Sequence, residues 1–345
     1  MLREIIPYRI RRKIRHSFPK LYLKDWIQIK LGSLNIKYLD LTPLWKCNSR
    51  CVTCESWKRD PTTMISAKQA NQILSNPIFK HLEVVIVEGG EPSLWPHLKP
   101  FVYSMAQKCI VSIITNCIES KRILEYAIHF FPLKKNIRWC LSLNGIGKMH
   151  DASRGYVGSY DKVLTVAKGL KELGYIVTFS FVPFQPNESD FEKVKDIADE
   201  MNIGMSVCHP CNSGKFGDSK WQPVFTERIE EMNKKLQKRW IDRWVDEHFF
   251  ANVKERKLMP CWAGRRMVHI NPYGQILTCS MNEKGIIGQV EDNGVEIDKE
   301  MRRYFLEEVI PKDCEYNKFG VCNNCMINWT ARRSFPTLLK WRMGL

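Results

Sequence analysis

Three cysteines with the spacing CxxxCxxC lie near the start of the chain. Cys47, Cys51 and Cys54 share one short segment that directly follows a predicted strand at residues 36–41. Three thiolates in one loop can hold three irons of a cubane and leave the fourth iron without a protein ligand, the open position that catalytic metal sites keep. The alternatives are a zinc site or buried free thiols.

A second group of cysteines lies near the other end of the chain. Cys261, Cys279, Cys322 and Cys325 supply four thiolates, which suit either a closed iron–sulfur cluster or a structural zinc ion. Cys314 is a spare cysteine of the same region, either a ligand or a bystander. With thirteen cysteines in all, an odd number, metal binding or catalysis explains them better than disulfides in a reducing compartment.

A further CxxC, formed by Cys208 and Cys211, ends the sixth predicted strand. We interpret these two as buried or incidental thiols near a turn, with substrate contact or redox chemistry as the alternative.

The elements that must position these cysteines alternate between strands and helices. Ser66 with Gln69 and Ser189 with Glu192 have the spacing of capping boxes at two helix starts. Such alternation predicts a parallel sheet with right-handed crossovers, an α/β partial (β/α)6 TIM-like barrel two units short of eight. The predicted strands are 36–41, 82–87, 110–114, 138–143, 176–182 and 204–208, and the helices between them are 67–74, 97–107, 120–130, 160–173 and 191–201.

Four regions follow from this organisation. Residues 1–35 form a basic amphipathic segment, 36–255 the barrel with a long charged helix, 256–330 a small α+β domain carrying the second cysteine group, and 331–345 a basic tail. Gly274 is expected at the turn of a hairpin in the third region.

The net charge of +16 is concentrated at the two ends of the chain. Residues 1–30 contribute +7 and residues 327–345 contribute +4, so the ends carry 11 of the 16 charges. A solvated helix packed on the barrel is the first interpretation, and contact with an anionic membrane surface or another polyanion is the alternative. Without an apolar run of about 18 residues or a signal peptide, a cytoplasmic protein is expected, peripheral to the inner membrane face if the basic ends bind lipid.

Several motifs resemble those of the radical S-adenosylmethionine (SAM) superfamily. Beside CxxxCxxC, the segment 88–92 reads EGGEP, Thr115 and Asn116 follow the third strand, and Ser142 ends the fourth. The resemblance implies that a [4Fe–4S] cluster on Cys47, Cys51 and Cys54 cleaves SAM to a 5′-deoxyadenosyl radical. The SAM contacts that it implies are Gly89, Gly90, Glu91, Pro92, Thr115, Asn116, Ser142 and Arg154.

The chain departs from the family pattern at three positions. Thr53 stands where many members have an aromatic residue, Cys117 replaces the glycine of a Thr-Asn-Gly turn, and Asn144 replaces the more common aspartate. The first departure leaves the adenine contact unassigned.

The second cysteine group is similar to the Twitch module, the short relative of SPASM. By this resemblance, Cys261, Cys279, Cys322 and Cys325 bind an auxiliary [4Fe–4S] cluster, which makes two clusters in all. A reductase, flavodoxin or ferredoxin is then the expected electron donor. If the auxiliary cluster accepts an electron from the substrate, the net reaction is an oxidation; the alternatives are that the cluster relays electrons, or that it only rigidifies the module and the reaction is redox-neutral.

The substrate class is left open by the sequence. Radical SAM enzymes that modify a ribosomal peptide often carry a peptide-recognition domain ahead of the barrel, and the roughly 35 residues before the first strand are too few for such a domain. A small-molecule, sugar or lipid-linked substrate is therefore favoured over a ribosomal peptide. The basic charge and the CxxC motifs also suggest a zinc-stabilised nucleic-acid-binding protein as an alternative. That alternative does not explain the EGGEP segment, so nucleic acid is not an expected partner. A simple electron carrier is a third alternative.

Overall fold

The computed structural model describes residues 36–208, 222–223, 226–236, 263–280 and 282–306. The two basic ends lie outside the described residues, as do Cys211, Cys261, Cys314, Cys322 and Cys325. The expectations for these residues therefore stay predictions.

Six parallel strands form the centre of the sheet, each within two residues of its predicted bounds. They are β1 (Tyr38–Leu41), β2 (Val84–Val87), β3 (Ile110–Thr115), β4 (Ile137–Ser142), β5 (Ile176–Phe181) and β7 (Gly204–Val207). Two short strands, β6 (Phe184–Gln185) and β8 (Gln222–Pro223), pair antiparallel outside this sheet. Because the six strands are parallel, their carboxyl ends meet at one edge, where the loops that follow can form a site.

The five helices predicted between the strands are present, and the described residues contain three more. The described helices are α1 (Ala67–Ser75), α2 (Leu98–Ala106), α3 (Ser120–Phe130), α4 (Lys148–Arg154), α5 (Ser159–Glu172), α6 (Phe191–Glu200), α7 (Thr226–Lys235) and α8 (Lys299–Tyr304). The sequence did not indicate α4 or α8, which are only seven and six residues long. Within the described ranges, no helix combines the length and the apolar character that crossing a membrane requires.

One of the two predicted capping boxes is confirmed and the other is wrong. At α1, the Ser66 hydroxyl accepts from the Gln69 amide at 3.1 Å, and the Gln69 side chain accepts from the Ser66 amide at 2.9 Å. At α6, residues 187–190 form a 3-10 turn, so Ser189 lies inside that turn. Its hydroxyl donates to the carbonyl of Pro186 at 3.4 Å and does not cap the helix.

Four further strands extend the sheet beyond β1. They are β9 (Met267–Ile270), β10 (Gln275–Leu277), β11 (Ile286–Val290) and β12 (Val295–Ile297). The ten-stranded sheet has the order β12-β11-β10-β9-β1-β2-β3-β4-β5-β7 and does not close, as expected of a partial barrel. β9 is parallel to β1, whereas β10 returns antiparallel through a turn at which Gly274 has φ of +78°. The predicted hairpin turn is thus confirmed.

The two faces of the parallel sheet differ in burial. Val111, Trp139 and Phe179 belong to the fully buried face, which packs against the helices as the core. Residues on the opposite face of β3, β4 and β5 are half-buried, apart from the exposed Ile176 at the start of β5, so burial alternates along these strands. We call this second face the lumen face; strand register and proximity assign to it Asp40, Glu88, Cys140, Ser180 and His269.

Candidate functional site

The cysteine loop follows β1 and is fastened to the end of α4. The Ser49 hydroxyl and the Arg50 amide both donate to the carbonyl of Arg154, at 2.7 Å and 2.9 Å. The Val52 amide donates to the carbonyl of Ser153 at 3.0 Å. Three hydrogen bonds to one helix terminus therefore fix the path of the loop between its first and third cysteines.

The same loop gathers the three predicted cluster ligands. The Ser49 amide donates to the Cys47 sulfur at 3.4 Å, and the Ser49 hydroxyl lies 3.1 Å from the Cys51 sulfur. Asn116 contributes a longer contact, 3.8 Å from its Nδ2 to the Cys47 sulfur. The Cys54 amide donates to the carbonyl of Cys51 at 3.3 Å, which closes the loop. Hydrogen bonds to sulfur are among the means by which proteins tune iron–sulfur clusters.

The electrostatics of this loop suit a bound cationic cluster. Burial, together with the neighbouring Cys51, raises the pKa of Cys47 to about 12. A thiol with such a pKa remains protonated at neutral pH unless a cation stabilises its thiolate, which is what a metal centre does. The three cysteines thus have the donor chemistry that a cubane with one open corner requires.

Arg154 adds a buried donor beside the thiols. Burial by itself lowers the pKa of this guanidinium, but the three cysteines and Glu91 raise it, and the net shift is upward. Among the residues that the structure describes, the buried Arg154 Nε has no hydrogen-bond partner. A buried donor without a partner costs about 1–3 kcal/mol, so an anionic group of a bound cofactor, such as a carboxylate, fits there.

The EGGEP segment contacts the stretch of chain between β1 and the first cysteine of the loop. The Gly90 amide donates to the carbonyl of Leu44 at 3.0 Å, and the Glu91 amide donates to the carbonyl of Lys46 at 2.9 Å. A Cβ atom on Gly90 would lie 2.2 Å from the Lys46 carbonyl oxygen. The glycine is therefore required for backbone contact beside Cys47, whatever further contact it makes with a ligand.

Glu91 has a structural role that sequence reasoning did not identify. Its carboxylate is fully buried and accepts from the Thr115 hydroxyl at 2.8 Å, the Asn116 amide at 2.8 Å and the Ser93 amide at 3.1 Å. Burial raises the pKa of Glu91, and these hydrogen bonds oppose that shift. The carboxylate thus joins the ends of β2 and β3. The expected contact between Glu91 and the SAM amino group stays a prediction.

The turn after β3 explains one departure from the family pattern. Cys117 has φ of +64°, a left-handed conformation that is uncommon for residues other than glycine. The Thr115 hydroxyl accepts from the Cys117 amide at 3.1 Å, and the Asn116 side chain accepts from the Ile118 amide at 2.9 Å. These bonds hold in a cysteine the geometry that glycine adopts freely.

The loop after β4 is organised by Asn144 and His150. Ser142 ends β4 opposite Ser180, at the same sheet edge as the cysteine loop. The backbone amide of Asn144 donates to His150 Nδ1 at 3.0 Å. The side-chain oxygen of Asn144 accepts from the Val182 amide at 3.1 Å. The replacement of aspartate by Asn144 therefore keeps the acceptor function of that position.

The buried imidazole of His150 predicts a pH-dependent stability. Burial, assisted by Arg154, lowers the pKa of His150 to about 3, so the folded state holds it neutral. The unfolded chain protonates near pH 6.5, and the contribution is therefore complete above that pH and is lost as the pH falls toward about 3. Between about pH 8 and pH 5.5 the loss is about 1.4 kcal/mol. We expect His150→Gln to remove this dependence in anaerobic urea titrations.

The control for this titration is His97→Gln, which removes a half-exposed imidazole beyond EGGEP. An equal loss of pH dependence in both variants would contradict the assignment to His150.

Two other predicted cysteines can be placed. Cys279 is buried directly after β10, but its three proposed partners lie outside the described residues, so the auxiliary cluster is not tested. Cys208 follows β7, with its sulfur 3.2 Å from the Ser180 hydroxyl. Burial raises the pKa of Cys208. This thiol thus lies beside the lumen face as a neutral group.

Comparisons with known proteins bear on the same residues. Residues 44–201 match the profile of the Radical SAM superfamily. The pre-heme d1 synthase of Dinoroseobacter shibae is 25% identical over 168 residues, which cover 46% of this chain and 39% of that protein. The antilisterial bacteriocin subtilosin biosynthesis protein AlbA of Bacillus subtilis is 22% identical over 260 residues, covering 69% of this chain and 54% of that protein. The chain thus spans about half or less of these relatives.

Solved structures share the fold at low sequence identity. SuiB of Streptococcus suis bound to the precursor peptide SuiA has a TM-score of 0.62 and 17% identity, covering 84% of this chain and 69% of that one. Native anSMEcpe with bound AdoMet has a TM-score of 0.59 and 14% identity, covering 89% of this chain and 97% of that one.

Proposed function

Residues 44–201 form a radical SAM domain, and on that premise we propose that this chain is an enzyme that removes a hydrogen atom from a substrate held at the lumen face. Cys47, Cys51 and Cys54 hold the cluster in this proposal. When bound, the cluster and SAM supply the one-electron cleavage that generates a 5′-deoxyadenosyl radical. The observation that carries the proposal is the fastening of all three cysteines in one loop beside the buried Arg154 donor.

The remaining motif residues orient the methionine end of SAM. We assign its carboxylate to Arg154 and Ser142, because Arg154 carries the buried donor without a partner and Ser142 ends a strand at the same edge. Its amino group is assigned to the backbone of the EGGEP segment and to Glu91, whose carboxylate is fixed by three donors. A rigid, buried site of this kind excludes water from the reacting atoms.

A small molecule, a sugar or a lipid-linked group is the first candidate for the substrate. The half-buried residues of β3, β4 and β5 support this assignment, because the described residues cover the lumen face of these strands less completely than the core face. The relative named pre-heme d1 synthase also carries the name of a small-molecule reaction.

A peptide is the second candidate. AlbA is named for bacteriocin biosynthesis, and SuiB and anSMEcpe have been solved with peptides bound. Isotope transfer decides between the two classes. Candidate small molecules and candidate peptides are each labelled with deuterium, and only the true substrate should transfer deuterium to 5′-deoxyadenosine.

The radical chemistry can be tested before the substrate is known. Anaerobically reconstituted protein, mixed with SAM and dithionite, is expected to form 5′-deoxyadenosine and methionine in equal amounts. A protein that carries a reducible cluster but leaves SAM intact would instead be an electron carrier, and a colourless zinc protein would contradict the enzyme assignment altogether.

We also propose that Cys279 joins Cys261, Cys322 and Cys325 in binding an auxiliary cluster, which takes an electron from the substrate and makes the enzyme an oxidoreductase. The natural donor to the first cluster would then be a flavodoxin, ferredoxin or reductase. Support comes from Cys279, which is buried where the β9–β10 hairpin ends.

The iron content of the reconstituted protein tests whether Cys279 binds an auxiliary cluster. The reconstituted protein should hold about eight irons per chain and Cys279→Ser about four, because each cubane contains four. Cys279→Ser should still cleave SAM, since the first cluster is intact. Cys109→Ser, which alters another buried thiol, is the control. Unchanged iron in Cys279→Ser would contradict ligation by Cys279.

A further inference from the structure

We propose that Asp40, Glu88 and His269 form a binding site for a divalent metal ion on the lumen face, separate from the cysteine loop. One ligand atom from each of the three residues can be chosen so that all lie within 4.8 Å of one another. Among the residues that the structure describes, no other group of three or more histidine, cysteine or carboxylate side chains meets this distance criterion. The assignment does not depend on the radical reaction.

The sheet topology builds this site from three neighbouring strands. Asp40 on β1 is the register partner of His269 on β9 on one side and of Ile86 on β2 on the other. Glu88 lies two residues beyond Ile86, directly after the end of β2. Residues in register on parallel strands point to the same face, so Asp40 and His269 share a face, and Glu88 approaches them from the end of the third strand.

The contacts within the group are those of a buried polar cluster. His269 Nδ1 lies 3.1 Å from Asp40 Oδ2, and both residues are 3% exposed. The Thr42 hydroxyl donates to Glu88 Oε1 at 3.4 Å. Two carboxylates beside one imidazole repel each other at low dielectric, and a divalent cation offsets this repulsion directly.

The donor set indicates which metals fit. Two carboxylates and one imidazole are borderline to hard ligands, which suit Mn²⁺, Fe²⁺ or Zn²⁺, whereas the thiolates of the cysteine loop suit an iron–sulfur cluster. Three protein ligands leave positions for water or for an oxygen atom of a substrate. Because His269 comes from β9 and the carboxylates come from β1 and β2, the ion would also join the C-terminal strands to the barrel.

Manganese is the probe that separates this site from the cluster. Mn²⁺ has little affinity for thiolates compared with softer metals, and it has a strong EPR signal in water that broadens on binding. We expect the reconstituted, cluster-loaded protein to bind about one Mn²⁺ per chain at this site, and the ion to raise the unfolding temperature of that protein.

Variants of the three ligands decide the assignment. Asp40→Asn, Glu88→Gln and His269→Gln should each weaken Mn²⁺ binding by at least about tenfold, since loss of even an outer partner of a metal ligand costs roughly 10–100-fold. Glu231→Gln, which removes an exposed carboxylate on α7, is the matched control and should bind as the parent does.

Folding of each variant is checked independently by its circular dichroism and by formation of 5′-deoxyadenosine. Folded variants that bind Mn²⁺ as tightly as the parent, or a parent that binds none, would overturn the proposal. If only Glu88→Gln misfolds, the Asp40 and His269 variants still decide it.

Discussion

Replacing Cys51 with alanine is expected to reduce 5′-deoxyadenosine formation to the background of the assay. Its sulfur lies 3.1 Å from the Ser49 hydroxyl, in the middle of the loop that α4 fastens. A cubane held by two remaining thiolates has lost a third of its protein ligands, so the iron content should also fall by about four per chain. Anaerobic reconstitution followed by iron analysis and chromatography of the nucleoside products measures both effects.

Cys109→Ala is the matched control for this prediction. Cys109 is also buried, and its thiol donates to the carbonyl of Met105 at 3.4 Å, far along the chain from the cysteine loop. Its removal should cost about 1 kcal/mol of unfolding free energy and leave the iron content and SAM cleavage intact. Full SAM cleavage by the Cys51 variant would refute the assignment of the cluster ligands.

Gly90→Ala is expected to disrupt the cluster site although it removes no ligand. The added Cβ would lie 2.2 Å from the Lys46 carbonyl oxygen and 2.5 Å from that of Trp45. Both atoms belong to the backbone, so relief requires a shift of the segment that leads into Cys47, with loss of the bond from the Gly90 amide to Leu44. We expect a loss of roughly 2–4 kcal/mol in unfolding free energy and of the first cluster.

Gly294→Ala provides the comparison, because no described residue other than its two chain neighbours has an atom within 4 Å of the Cβ position at that glycine in the β11–β12 turn. Urea unfolding and the visible absorbance of the cluster should match the parent in Gly294→Ala and fall in Gly90→Ala. Equal behaviour of the two variants would show that the close contact at Gly90 is relieved without cost.

The barrel could be predicted from the sequence because its signals are local. A run such as that of β3 (Ile110–Thr115) is rich in β-branched residues, and polar residues and helix signals bound it on both sides. The bounds of the strands consequently differ from the structure by two residues or fewer. The capping box at Ser66 succeeded for the same reason, whereas Ser189 failed because a 3-10 turn took up the residues that should have preceded the helix.

The pairing of β1 with β9 could not be predicted in this way. Asp40 and His269 are separated by 229 positions, and neither segment carries a local sign of its partner. A usable signal did exist: Asp40 and His269 are polar residues inside otherwise apolar strands, and a buried polar residue in such a place needs a partner.

The cysteine ligands of the candidate site could be proposed from the sequence, whereas the hydrogen bonds that support them could not. The spacing of Cys47, Cys51 and Cys54 has a chemical meaning that needs no coordinates. The bonds from Glu91 to Thr115 and Asn116 depend on how two loops meet, which tertiary packing alone decides.

The position of β9 constrains how this protein can exchange parts with others by recombination. Tyr38–Leu41 has neighbours on both sides, and the amide of Thr42 donates to the carbonyl of Ile270 at 2.9 Å. A barrel separated from its C-terminal strands would therefore expose the backbone donors and acceptors along one side of β1, and such an unpaired strand edge promotes aggregation. A module that replaces these strands must therefore supply a strand that pairs with β1 in the parallel direction, as β9 does.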